Sequence, residues 1–112
     1  SSIINISSTA ALDPVPGRIA YSSSKAAMIT FSKILSKELS RFKVRVNVIA
    51  PGLTETELMR NSHSDKIVEE VLKNISLGRI GKTIDIANLA LFLASDNSDY
   101  INGQVIRIDG GM

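Results

Sequence analysis

The stretch that most restricts the fold is Val44-Arg45-Val46-Asn47-Val48-Ile49-Ala50, closed at once by Pro51-Gly52. Its β-branched residues make it the clearest strand of the chain, and Pro-Gly ends it. Arg45 and Asn47 are polar residues in a strand that reads as buried, so they are expected to be hydrogen-bonded structural groups. Before this strand comes a helical period from about Tyr21 to Ser40, with Ala27, Phe31, Ile34, Leu35 and Leu39 on one face. Ala26, Met28 and Ile29 lie off that face and suit a partner. Earlier still, Ile3-Ile4-Asn5-Ile6 reads as a short buried strand ended by Ser7-Ser8-Thr9, and Asp13-Pro14-Val15-Pro16-Gly17 as a loop.

Downstream, residues 53–77 form a long polar, lid-like stretch with weak helical character. A turn at Gly78-Arg79-Ile80-Gly81 leads to a helix that Thr83 can cap and Asp85 favours, with Ile86, Leu89, Ala90 and Leu93 as its apolar face. Asn102-Gly103 turns the chain into a last strand, Gln104 to Ile108. Such alternation predicts an α/β fold of parallel strands joined by right-handed crossovers. Three parallel strands alone make a poor sheet, because such sheets are normally covered on both faces and extend further. The pattern therefore reads as one half of a doubly wound sheet.

Composition removes several classes of function. Hydrophobic residues at 44% and charged residues at 21% are ordinary for a globular protein. A net charge of +2, dispersed cations and 4% aromatics leave little for nucleic-acid binding. There is no cysteine and one histidine, His63, so thiolate and multi-histidine metal sites are excluded. His63 is expected on the surface. No apolar run has transmembrane length and no signal-like start is visible, so a cytoplasmic protein is the default expectation.

The chemistry-bearing motif is Tyr21-Ser22-Ser23-Ser24-Lys25. Residues four apart on a helix are neighbours. A free phenol is a sluggish base at neutral pH, with a pKa near ~10, and a close ammonium stabilises the phenolate. Such a pair can exchange a proton with a carbonyl or alcohol oxygen. Ser8 precedes Tyr21 by 13 residues and ends the first strand, where open α/β sheets place their sites. Ser7 competes with it. Side chains alternate along a strand, so only one of the two should face Tyr21.

"NISS" ending a strand, "YSSSK" at this gap, then "VNVIAPGLTET" and "GQVIRIDGG" together resemble the short-chain dehydrogenase/reductase family, over all 112 residues. "LGRIG", "LALFLASD" and "IDGGM" are most similar to its 3-oxoacyl-acyl-carrier-protein reductase branch. The resemblance implies roles for residues at matching positions. Tyr21 is the general acid/base and also one of the cofactor-binding residues. Lys25 stabilises its phenolate and holds the nicotinamide ribose. Ser8 polarises the substrate carbonyl, and the gap selects it over Ser7. Pro51 and Gly52 flank the nicotinamide, Thr54 reaches its carboxamide through the backbone, and Thr56 contacts the amide or phosphates. The implied cofactor is NADP or NAD, and no metal is implied. Leu58 and Met59 are candidates to touch substrate.

The resemblance also implies that residues 1–112 are the carboxyl-terminal part of a single Rossmann-type reductase domain. No Gly-rich loop after a first strand is found, so the dinucleotide-binding half is absent from this sequence. The 112 residues alone are then expected to be inactive. The implied reaction is reduction of a 3-oxoacyl thioester on acyl carrier protein, and Arg41 and Lys43 are candidates to meet that acidic carrier. The full-length protein is expected to be a homodimer or homotetramer, with no nucleic-acid or membrane partner. Two alternatives stand: a dehydrogenase of a sugar, steroid or other small alcohol, and a non-catalytic interaction module built on the family's subunit contacts.

Overall fold

A computed structural model describes residues 1–56, 59, 61 and 63–112. Strands β1 (Ser2–Ile6), β2 (Arg45–Pro51) and β3 (Val105–Ile108) form one sheet in the order β1-β2-β3, with both pairings parallel. Helix α1 (Ile19–Glu38) connects β1 to β2. A short helix α2 (Asp65–Leu72), started by Ser64 accepting from the Ile67 N–H, lies in the lid-like stretch. Helix α3 (Thr83–Ala94) precedes β3.

The central strand carries the core. Val46, Asn47, Val48, Ile49 and Ala50 are all buried, so both faces of β2 are covered, as expected of a doubly wound sheet. The hydrogen bonds tell which helix covers which face. Asn5 Nδ2 donates to Ser32 Oγ, and Ser7 Oγ donates to the Lys25 carbonyl, both on α1. Ser2 Oγ and its register partner Arg45 instead reach the Leu93 carbonyl on α3. Strand side chains alternate, so α1 and α3 lie on opposite faces.

Two crossovers that advance the same way across a sheet over opposite faces have opposite hands. The expectation that both are right-handed is therefore corrected. The handedness rule follows from strand twist acting on a tight strand–helix–strand unit. The β2-to-β3 connection carries the whole lid-like stretch as well as α3, and that length frees it from the constraint.

Helix α1 also corrects the reading of its faces. Ile29, Ser32 and Ser36 are buried against the sheet, with Ala26 and Met28 half-buried. Ala27, Phe31 and Ile34 face outward instead, Phe31 at 59% exposure. Small residues let α1 approach the sheet closely: Gly103, beside β3, leaves a gap in which an added Cβ would sit 2.8 Å from Ser36 Oγ. In α3 the expected face holds, with Leu93 buried and Ile86, Leu89 and Ala90 half-buried. Its start differs. Lys82, not Thr83, occupies the cap position, and Asp85 accepts from the Lys82 N–H at 2.8 Å.

The polar strand residues are hydrogen-bonded as expected. Asn47 Nδ2 donates to the Ile101 carbonyl at 2.9 Å, and its Oδ1 accepts from the Gln104 N–H at 3.0 Å. Arg45 donates to the carbonyls of Leu93, Ser95 and Ile101. These bonds pin the chain entering β3 onto β2. Among the described residues, no helix is long and apolar enough to cross a membrane.

Candidate active site

At the carboxyl ends of β1 and β2 the chain leaves the sheet through Ser7-Ser8 and Pro51-Gly52. Helix α1 starts at this same end and carries Tyr21 and Lys25 in its first turns. The two serines divide as alternation requires. Ser7 is 3% exposed, and its hydroxyl is spent on the Lys25 carbonyl at 2.8 Å. Ser8 turns outward, where its Oγ accepts from the Ala10 N–H at 3.1 Å and keeps its own proton to donate.

Two clefts meet here. One, of about 520 Å³, is walled by Ile6, Lys25, Pro51, Thr83, Ile86 and Ala87. The other, of about 730 Å³, is walled by Asp13, Arg18, Leu53, Met59, His63 and Val71. Ser8, Tyr21, Gly52, Thr54 and Thr56 line both. Ser8 and Tyr21 thus stand on the boundary between a compartment that contains Lys25 and one that does not. Both volumes fall within the range of small-molecule sites.

Lys25 is fixed by a 3.2 Å bond from Nζ to the Ile6 carbonyl, with Nζ 5.9 Å from the centre of the Tyr21 ring. That bond uses one of the three ammonium protons. Thr54 Oγ1 donates to the Gly52 carbonyl at 3.1 Å, and the backbone at Thr54 bridges to Gly81. Thr56 Oγ1 accepts from the Met59 N–H at 3.1 Å. Gly52 is required by crowding rather than by backbone conformation: a Cβ there would lie 2.6 Å from Asp109 Cβ.

An ion-pair cluster braces this rim. Arg107 on β3 holds Asp13 at 2.7 Å and Asp109 at 3.0 Å. Burial pushes the Asp109 carboxyl upward, but the Gly111 N–H and the Arg107 guanidinium outweigh it and hold it below its ordinary value. Farther along, Arg79 grips Asp85 through both carboxylate oxygens at 2.8 and 3.2 Å. That contact, with the Lys82 N–H, lowers Asp85 to about 2.

One expectation changes. His63 is half-buried in the wall of the larger cleft, its Nδ1 3.3 Å from the Met59 carbonyl, rather than a plain surface residue. Met59 is buried in that wall, while Leu58 lies outside the described residues. Arg41 and Lys43 follow the far end of the 20-residue α1, which lies about 25 Å from Tyr21 along the helix axis, and are not among the residues lining the clefts. Sequence reasoning missed Arg18, whose guanidinium lies 4.4 Å from the Tyr21 ring centre. A cation three residues before the tyrosine, at a helix start, was the available signal.

Comparison with known proteins fits this layout. The family model described as enoyl-(acyl carrier protein) reductase matches residues 1–112. A curated 3-oxoacyl-[acyl-carrier-protein] reductase of Chlamydia trachomatis is 52% identical over 110 residues, 98% of this chain and 44% of the relative. The chain therefore spans a little under half the length of the curated relatives it matches. Among solved structures, a 3-oxoacyl-[acyl-carrier protein] reductase with bound NAD from Brucella melitensis superposes with TM-score 0.88 at 31% identity, covering 100% of this chain and 40% of that one. A short-chain dehydrogenase titled glucose/ribitol dehydrogenase, from the same organism, superposes with TM-score 0.92 at 33% identity, covering 99% and 44%. The chain belongs to the short-chain dehydrogenase/reductase family, and is closely related to its 3-oxoacyl-acyl-carrier-protein reductases.

Proposed function

We propose that residues 1–112 are the carboxyl-terminal part of a single Rossmann-type reductase domain, and that the full-length protein reduces a 3-oxoacyl thioester on acyl carrier protein to the 3-hydroxy form with NADPH or NADH. The observation that carries this reading is the pair of clefts sharing Ser8 and Tyr21 on their common wall. A reaction between a cofactor and a substrate needs two compartments open to one proton donor.

The smaller cleft fits a nicotinamide and its ribose in size and chemistry. Pro51, Ile86 and Ala87 offer apolar surface to a flat ring, and Lys25 keeps two free ammonium protons for ribose hydroxyls. Thr54 and Thr56 are the polar groups nearest the Gly52 turn, suited to the carboxamide and to a phosphate. Bound there, the nicotinamide supplies a hydride, and the protein supplies orientation and the proton.

In the larger cleft the substrate carbonyl oxygen accepts hydrogen bonds from Ser8 Oγ and Tyr21 Oη. As the carbon gains its hydride, negative charge gathers on that oxygen, where two fixed donors stabilise it. Tyr21 then passes its proton to the oxygen, completing the alcohol. The Lys25 ammonium favours the phenolate left behind.

The outward stripe of Ala27, Phe31 and Ile34 on α1 supports self-association of the full-length protein as a dimer or tetramer. A second reading, oxidation of a polyol or other small alcohol by the same groups, is favoured by the likeness to the glucose/ribitol dehydrogenase structure. The test is cofactor oxidation by the full-length protein with an acetoacetyl thioester, against cofactor reduction with glucose or ribitol. A kcat/KM at least ~100-fold higher for the thioester is expected. The reverse preference would overturn the thioester reading and establish the second.

A further inference from the structure

Arg18 stands at the cap position of α1, makes no side-chain capping bond, and has no acidic residue beside it in the first helical turn. A cation there opposes the positive end of the helix dipole, so the residue does not serve the helix. Nor does it serve an ion pair among the described residues. Asp13, the one acidic side chain among the described residues of the larger cleft, is already taken by Arg107 at 2.7 Å. The guanidinium instead lies over the Tyr21 ring, 4.4 Å from its centre, on the side of the larger cleft. Arg18 lines that cleft and not the one containing Lys25. Stacking on an aromatic face uses the plane of a guanidinium and leaves its N–H edge free to donate.

We infer that Arg18 determines substrate specificity: its guanidinium edge donates to the second carbonyl of a 1,3-dicarbonyl substrate whose reacting carbonyl is held by Tyr21 and Ser8. The inference rests on the thioester reading above, and names the group that reads the thioester carbonyl two carbons from the reacting centre. Stacking fixes the donor beside the proton donor, so the two substrate oxygens are recognised together. An isolated ketone offers no second acceptor to Arg18, so it forgoes the hydrogen bond that favours the dicarbonyl.

The test uses the full-length protein, wild type and Arg18→Gln, with an acetoacetyl thioester and a monoketone of equal chain length. The ratio of their kcat/KM values is expected to fall roughly 10–100-fold in Arg18→Gln, the range for a hydrogen bond from a charged donor. Arg18→Lys, which keeps charge but loses the planar fork, is expected to recover part of the ratio. Calorimetric binding of the acetoacetyl thioester should weaken about tenfold or more in Arg18→Gln, within that same range. An unchanged ratio, with the wild type still preferring the thioester, overturns the role of Arg18 alone. A wild type without that preference overturns both this role and the thioester reading.

Discussion

Ser7 and Ser8 are adjacent and chemically identical, and they face opposite ways at the end of β1. Replacing each by alanine separates fold from chemistry. Ser7→Ala removes one buried bond, the 2.8 Å contact to the Lys25 carbonyl. That carbonyl lies inside α1 and keeps its helical bond, so the cost is that of a single neutral hydrogen bond, about 1 kcal/mol. For a protein of ordinary reductase length this lowers Tm by roughly 2–4 °C. Turnover should stay within about threefold, because the hydroxyl borders the smaller cleft with its proton already committed. Ser8→Ala removes a donor aimed at the carbonyl oxygen on which charge develops. Losing one such donor costs roughly 100- to 1000-fold in kcat. It also removes the cap on the Ala10 N–H, worth about 1 kcal/mol. The two variants should therefore have similar melting temperatures and very different turnover. Steady-state kinetics of the full-length protein at saturating cofactor, with a thermal melt of each variant, reads both quantities. A Ser7→Ala enzyme that loses more activity than Ser8→Ala, at equal stability, would refute the assignment.

Other consequences can be checked on the same protein. Asn47→Leu breaks two buried hydrogen bonds and strips the Gln104 N–H of its acceptor, while the Ile101 carbonyl keeps Arg45; the expected loss is about 2–4 kcal/mol, read from denaturant melts. Asp85 sits near 2, below the ordinary carboxylate value, so its stabilising contribution is complete above the ordinary value and is lost as pH falls through about 2. Asp85→Asn should flatten that part of the Tm-against-pH curve, and an unchanged acid limb would show that the Arg79 clamp does not bear on folding. Phe31→Glu with Ile34→Glu places charge on the exposed stripe of α1 and should dissociate the proposed oligomer in sedimentation velocity; an intact assembly would move the interface elsewhere.

The strands and their parallel order were legible because β-branched runs alternate with helical periods, and little else has that rhythm. Asn47 and Arg45 were legible for a related reason: polar groups in so apolar a strand must be bonded. The faces of α1 were not. Close packing on the sheet selected Ser32 and Ser36, while Phe31 and Ile34, which suit a partner, carry the same hydrophobic signal as a core. Periodicity reports that a face is apolar, not what covers it. The hand of the second crossover was hidden because the rule governing it presumes a short connection. Within the site, helical spacing makes Tyr21 and Lys25 neighbours and the family resemblance supplies their roles, while strand alternation separates the two serines once one of them is seen to bond α1. Arg18 escaped because its spacing, three residues before Tyr21, is a weak signal until the entry of the loop into the helix is known.

The most direct test of the account is single-turnover reduction of an acetoacetyl thioester by the full-length protein and its Tyr21→Phe variant, with cofactor affinity measured in parallel. Removing the phenolic proton while leaving the ring should cut the reductive step by roughly 100- to 10,000-fold, the range for a lost general acid. Cofactor affinity should fall far less than the rate, because the ring that lines the smaller cleft is kept and Lys25 stays anchored on the Ile6 carbonyl. A Tyr21→Phe protein that still reduces the thioester at close to the wild-type rate would contradict the central claim.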